Sequence, residues 1–276
     1  MKKVLLIFTF AAVSFASCQS LDLESTYQVG SSNVWNKATL ARQAVNGVYN
    51  ELYVRASASD SENNWKVMNE AYSSVMDTDK NWYHNQKVCY GDGTPSSSVF
   101  SNMYKYYYTF IFRANDIISH IDKVPDMTAE EKGRLKAEAK FFRAFGYFNL
   151  NVLYRGVPLY LEYIENATNA TRPRSSEQDV WNAVIQDLTD CVEEKNLPDR
   201  YTAGSSDYGR VSRAVALAYR GQAYQFLAAR GEGDKAQYWQ LALDDFEALE
   251  PMGFALYKGA GNDSFKQLLK PANEQC

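Results

Sequence analysis

Histidine is scarce in this chain, clustered cysteine and excess basic charge are missing, and each shortage removes a class of function. His84 and His120 are the only histidines and stand far apart, so neither a histidine-based zinc centre nor a nucleophile–histidine–acid triad is supported. The four cysteines, Cys18, Cys89, Cys191 and Cys276, are widely spaced without a CxxC pair, which excludes a thiolate zinc site and a small disulfide-stapled fold. A single Cys89–Cys191 bond stays open beside the reading of both as buried thiols. Basic residues number 29 against 33 acidic ones, a net charge of −4 with no Lys/Arg run, so a nucleic-acid partner has no surface to meet. No apolar run reaches the about 20 residues of a membrane-spanning helix. No acidic pair stands out in a loop, so nothing points to a glycosidase or another enzyme. Gly91-Asp92-Gly93 and Gly259-Ala260-Gly261 read as turns, because neither follows a strand and opens a helix to cradle phosphate. No cofactor and no metal are expected.

What is present begins at the amino terminus. Lys2 and Lys3 precede a short apolar run over residues 4–15, and Phe15-Ala16-Ser17 places small residues before Cys18. That order predicts a lipoprotein signal over residues 1–17, with Cys18 the lipidated first residue of the mature chain. An ordinary signal peptide, with Cys18 a bystander, is the alternative. Acyl chains contribute about 0.8 kcal/mol per buried CH₂, enough in combination for stable anchoring. Residues 18–36 are read as a polar tether and residues 37–276 as one α-helical domain.

Helical periodicity dominates that domain. It starts near Lys37 with Leu40, Ala44, Val48 and Leu52. It returns over residues 99–124, where Tyr104, Tyr107, Tyr108, Ile111, Ala114, Asn115, Ile118 and Ile121 make one stripe that Pro125 ends. Thr128-Ala129-Glu130-Glu131 has capping-box spacing and opens a helix to about Tyr154, with Leu135, Ala139, Phe142, Phe145, Gly146, Asn149 and Val152 inward. A short extended piece over 158–163 follows. Ser175 and Ser176 offer a cap for a helix over 177–194, and two more helices are expected over 209–230 and 236–249. The fold class is mainly α. The Ala218-x-x-Gly221-x-x-Tyr224 spacing ahead of Ala242-x-x-x-Phe246 is that of a degenerate tetratricopeptide-like hairpin, where a small residue admits a partner's ring.

Tyrosine is the compositional outlier, at 20 residues beside 5 Trp and 14 Phe, which suits both helix packing and stacking on flat ligands. Residues 63–95 break the helical period and gather Trp65, Asn81, Trp82, Tyr83, His84 and Tyr90, rings with amide and imidazole groups beside them. A sugar site needs flat apolar platforms and a few hydrogen-bonding side chains, so Trp82 and Tyr83, with Asn81 and Trp65, are the candidate ligand residues. The competing reading has these rings covering the scaffold. Asp77-Thr78-Asp79 opens like a calcium loop but fails, since Trp82 replaces the turn glycine and Val88 the bidentate glutamate. His120 is expected to be solvated or to cap its helix. Glu138 and Arg143, charges among apolar neighbours, are expected to tie adjacent hairpins, and Asn115 to be a buried amide bonded to backbone.

The ordered set of Leu135-Lys-Ala-Glu-Ala-Lys-Phe-Phe-Arg-Ala-Phe-Gly-Tyr-Phe-Asn-Leu150, Tyr154-Arg-Gly-Val-Pro-Leu159, Ala44-Val45-Asn46-Gly47-Val48-Tyr49, Arg113-Ala114-Asn115-Asp116-Ile117 and Gly209-Arg210-Val211-Ser212, after Cys18, resembles the SusD/RagB family of outer-membrane nutrient-binding lipoproteins from Bacteroidetes. The resemblance implies a SusD-like helical scaffold with tetratricopeptide-like hairpins and a surface site for oligosaccharide or another oligomeric nutrient. It also implies a SusC-like, TonB-dependent β-barrel transporter as partner, a lipid anchor in the outer membrane, and binding without catalysis. Members usually continue well past a segment like 264–274, so the chain reads as the amino-terminal portion of such a protein. A different class, a helical-repeat lipoprotein that binds other proteins, stays open.

Overall fold

The computed structural model describes residues 33–57, 90–91, 93–165, 170–231, 233–255 and 261. Among these it has six α-helices and no strand: α1 (Ala38–Ser57), α2 (Ser98–His120), α3 (Ala129–Tyr154), α4 (Glu177–Glu193), α5 (Arg213–Arg230) and α6 (Lys235–Glu247). Successive helices pack side by side, α2 on α3, α3 on α4, α4 on α5 and α5 on α6, while α1 lies against α2 and α3.

Helix starts follow local chemistry. Thr128 Oγ1 accepts from Glu131 N at 3.2 Å, Ser176 Oγ from Asp179 N at 3.0 Å and Asp234 Oδ1 from Gln237 N at 3.0 Å, each satisfying one orphan amide of a first turn. Only half of the expected capping box at α3 forms. The Glu131 carboxylate is taken by Arg42 of α1 at 2.5 and 2.7 Å, a charge-assisted pair that outcompetes a neutral backbone donor. The first amide of α1 is capped from a distance, Ala38 N donating to Asp126 Oδ1 at 2.6 Å.

The single inward stripe expected for α3 understates its burial. Phe141, Ala144, Tyr147 and Leu150 are buried along with Leu135, Ala139, Phe142 and Phe145, whereas Val152, expected inside, is exposed. A helix with neighbours on both flanks buries most of its circumference, and the amphipathic pattern then loses contrast. One other expectation changes and one is narrowed. Residues 33–36, assigned to the tether, belong to the packed body, since Val34 and Trp35 are buried. His120 is half-buried and not solvated, and the expected capping role holds, with Nδ1 2.8 Å from the Asp116 backbone carbonyl and 3.0 Å from its carboxylate, while the ring stacks on Trp35 at 5.6 Å and meets Tyr163 edge-on at 4.9 Å.

Buried charge behaves as the sequence suggests. Arg143 of α3 bonds Asp187 of α4 with both ends of its guanidinium, at 2.8 and 2.7 Å. Glu138, fully buried, is paired by Arg210 at 2.6 Å and accepts from the Tyr49 hydroxyl at 2.8 Å, joining α1, α3 and the segment before α5. Gly221 of α5 faces Phe246 of α6 so closely that a Cβ there would stand 2.8 Å from ring carbon Cε1, the small-against-large packing of a tetratricopeptide-like hairpin. Cys191 is a buried free thiol donating to the Ala137 carbonyl at 3.1 Å, its pKa pushed up by burial. Among the described residues no helix is long and apolar enough to cross a membrane.

Candidate functional site

Cys18, Trp65, Asn81, Trp82, Tyr83, His84 and Cys89 all lie outside the described residues, as does the calcium-loop-like segment 77–81. Within the described residues a groove of about 380 Å³ opens between α2 and the segment after α3, lined by Tyr104, Lys105, Tyr108, Thr109, Phe112 and Tyr160.

The wall of that groove is built from the end of α3. The Asn151 side chain stops the helix by accepting from Gly156 N at 2.7 Å, and Arg174 Nε donates to the Gly156 carbonyl at 2.7 Å. The chain then runs extended past α2 and α3 with no strand beside it among the described residues, and its backbone polar groups bond side chains instead. The Pro158 carbonyl accepts from Tyr108 Oη at 2.6 Å, and the Leu161 carbonyl from Arg143 at 2.7 Å. The Tyr160 carbonyl accepts from Asn115 Nδ2 at 2.7 Å and from the Tyr147 hydroxyl at 3.1 Å, while Tyr160 N donates to that same hydroxyl at 2.6 Å. Arg143 also donates to Asn115 Oδ1 at 2.8 Å, so the buried Arg143–Asp187 pair, Asn115 and Tyr147 form one polar core whose outer edge fixes residues 158–161.

That placement sets Tyr160 opposite Tyr104, Tyr108 and Phe112, which recur every fourth residue on one side of α2. Tyr108 stacks on Phe112 with centroids 5.7 Å apart, Tyr104 tilts against Tyr108 at 4.7 Å, and Phe112 meets Tyr160 at 5.4 Å. Tyr108 and Tyr160 are buried and form the floor, whereas Phe112 is 42% exposed. The Arg172 guanidinium lies over the Tyr160 ring, 5.0 Å from its centroid, and donates to the Leu159 carbonyl at 3.0 Å.

Burial pushes the Tyr108 phenol pKa well above its ordinary value, keeping it a neutral donor. The lining offers four rings, an ammonium and four hydroxyls, three of them phenolic, and no carboxylate, imidazole or thiol. Among the described residues no three His, Cys, Asp or Glu side chains converge to hold a metal.

Periodicity assigned Tyr104 and Tyr108 to the core and passed over Phe112 and Tyr160. One signal was available: Phe112 follows Ile111 on the side of α2 that the stripe leaves polar, next to Arg113. Nothing local in the sequence places Tyr160 against it.

Comparison with known proteins gives the chain its relatives. A family model described as starch-binding, associating with the outer membrane, matches residues 21–224. A SusD-like protein of Formosa agariphila is 36% identical over 135 residues, 49% of this chain and 25% of that protein. The crystal structure of a SusD-like protein from Bacteroides fragilis superposes with a TM-score of 0.70 at 21% identity, over 88% of this chain and 43% of the other. Surface glycan-binding protein A of Bacteroides thetaiotaomicron, solved in complex with laminarihexaose, gives a TM-score of 0.67 at 18% identity, over 86% of this chain and 47% of the other. In each case the chain spans less than half the length of its relative. With the family model covering most of the sequence and the helical scaffold matching, the chain belongs to the SusD-like family.

Proposed function

We propose that this protein captures oligosaccharide at the bacterial cell surface and delivers it to a TonB-dependent, SusC-like β-barrel in the outer membrane, without catalysing a reaction. The observation that carries this reading is the match to a starch-binding, outer-membrane-associating family over residues 21–224. A structural neighbour that holds laminarihexaose supports the ligand class. Cys18 carries the lipid anchor, and Trp82 and Tyr83 stack on the sugar with Asn81 and Trp65 beside them.

Calorimetry on the full-length protein with laminarihexaose, maltohexaose and xylohexaose tests the ligand. At least one of the three is expected to bind, and Trp82→Ala to weaken that binding about tenfold or more, since truncating an aromatic anchor of a binding site costs about 2 kcal/mol or more. Unchanged affinity removes Trp82 from the site. Radiolabelled palmitate is expected to mark the wild type and leave Cys18→Ser unlabelled, and the β-barrel to co-purify from outer membranes. A second reading, a scaffold that binds other proteins, draws on the Gly221–Phe246 hairpin. It predicts a protein partner in the same purification together with silence in every saccharide titration.

A further inference from the structure

We propose that the groove of Tyr104, Lys105, Tyr108, Thr109, Phe112 and Tyr160 is a saccharide subsite that seats a pyranose ring, in addition to the ligand residues at 65 and 81–83. The inference rests on the glycan-binding reading and names a place for the sugar that the reading does not contain.

Size argues for a small ligand. At about 380 Å³ the groove falls within the roughly 300–1,000 Å³ of small-molecule sites. Six residues offer far less than the about 800 Å² per partner that a stable protein interface buries. Ring geometry argues for a pyranose. The axial C–H bonds on one face of such a ring present weakly positive hydrogens, which match the negative π-face of an exposed aromatic ring. Phe112, 42% exposed and stacked on Tyr108, supplies that face at the mouth, and Tyr104 lies about two helical turns away, on the far side of Tyr108. The floor rings cannot swing. Tyr108 Oη is held by the Pro158 carbonyl at 2.6 Å and Tyr160 Oη by the Ala170 carbonyl at 2.5 Å, so little conformational entropy remains to be lost on binding.

The rim supplies what hydroxyl groups need. A sugar hydroxyl both donates and accepts, and the groove pairs a donor with an acceptor one turn apart. Lys105 is exposed and makes no ion pair with any described residue, leaving its ammonium free to donate. The Thr109 hydroxyl spends its proton on the Lys105 carbonyl at 3.0 Å and keeps its lone pairs to accept. A lone ammonium without a second cation makes a poor anion site, and the lining has no carboxylate to hold a cationic ligand. A neutral, ring-shaped polyol fits both constraints.

The test labels the full-length protein with 3-fluorotyrosine, assigns Tyr104, Tyr108 and Tyr160 by Tyr→Phe replacement, and follows their ¹⁹F resonances. The probes are methyl β-D-glucopyranoside, methyl β-D-galactopyranoside and methyl α-D-mannopyranoside, with benzyl alcohol as a flat apolar control. At least one pyranoside is expected to shift Tyr104 and Tyr108 saturably. Phe112→Ala, a change at an exposed position, is expected to weaken that response about tenfold, and Lys105→Met to weaken it less. Silence with all three pyranosides overturns the inference, as does a response that survives Phe112→Ala or is matched by benzyl alcohol. A groove already covered by another part of the full-length protein gives the same silence, with the tyrosine signals shielded from a soluble paramagnetic agent, and overturns it equally. The two proposals fail separately: hexasaccharide binding lost in Trp82→Ala with a silent groove removes only this one, whereas a responsive groove in a protein that retains no oligosaccharide removes the transport reading.

Discussion

The two ends of the helical array are joined by different shares of ring packing. Where α2 meets α3, rings do the packing: Phe110 stacks on Phe142 at 5.8 Å and meets Phe145 at 5.3 Å, while Tyr107 meets Phe145 at 6.0 Å. Where α5 meets α6, rings are fewer: Gly221 admits the Phe246 ring, and Tyr224 stacks on Tyr238 at 6.1 Å. An arginine–aspartate pair lies near each end, Arg143–Asp187 tying α3 to α4 and Arg220–Asp245 tying α5 to α6. The difference teaches where the tyrosine excess is spent. The aromatic end has more rings than its interior can enclose, and those left over, Tyr104 and Phe112, line the groove.

The largest effect separates the two ion pairs. Arg143 and Asp187 have side chains 8% and 5% exposed, against 17% and 6% for Arg220 and Asp245. Removing one partner strands the other charge, and the cost grows as water is excluded. Asp187→Ala is expected to lower unfolding free energy by about 3–5 kcal/mol and Asp245→Ala by about 1–3 kcal/mol, measured by urea unfolding of the full-length protein. Asp187→Ala should also disturb the Tyr160 ¹⁹F signal, because Arg143 holds the Leu161 carbonyl as well as the carboxylate. Equal losses at the two sites would mean that differences in burial do not rank them.

Next come the glycines at the two helix crossings. A Cβ at Gly146 would stand 2.9 Å from both the Tyr107 carbonyl oxygen and Ile111 Cγ1, whereas at Gly221 it would meet only the Phe246 ring. Backbone cannot withdraw and a side chain can be trimmed. Gly146→Ala is therefore expected to cost about 1–3 kcal/mol net of the helix propensity it gains, and trimming Ile111 to Val should not recover it. Gly221→Ala should cost less, and Phe246→Leu combined with it should fall short of the sum of the single losses by about 1 kcal/mol. Additivity at Gly221, or recovery at Gly146, would break the contrast between a backbone-limited and a side-chain-limited crossing.

Much of this contrast was legible before any coordinates. Pro125 and the Thr128 cap mark the start of α3, Gly221 and Phe246 announce their contact by spacing, and Glu138 and Arg143 declare themselves as ties by sitting among apolar neighbours. Their partners were not legible, because Asp187 and Arg210 look like any charge on a helix or loop until the fold brings them within bonding distance. The full burial of α3 was hidden for a related reason. A periodic stripe reports one partner surface, and a helix with two leaves no polar face to set the phase, which is how Val152 was drawn inside and Tyr147 left out. The groove was least legible of all, since it depends on residues 158–161 being held by Tyr108, Asn115, Arg143 and Tyr147, four side chains from two other helices.

The smallest expected effect concerns the caps. The α6 cap is local, Asp234 to Gln237 N, but the cap turn of α3 is also tied to α1 through Glu131 and Arg42. The bond from Arg42 holds the Glu131 carboxyl below its ordinary value of 4.5, against a smaller opposing push from burial. Folded protein therefore binds this proton less readily than unfolded chain, so the contribution to stability is present above about pH 4.5 and is lost as pH falls through the depressed folded value. Arg42 is 46% exposed, which confines the pair to about 0.5 kcal/mol. Urea titrations of Glu131→Gln and wild type at stepped pH should differ by that amount at neutral pH and converge in acid, with the gap narrowing in high salt as screening weakens the wild-type pair. The Thr128 cap itself is untouched by the change and should go on contributing at every pH. A gap that persists unchanged in acid would assign the loss to packing of the Glu131 side chain against α1, and the two caps would then differ in contact and not in charge.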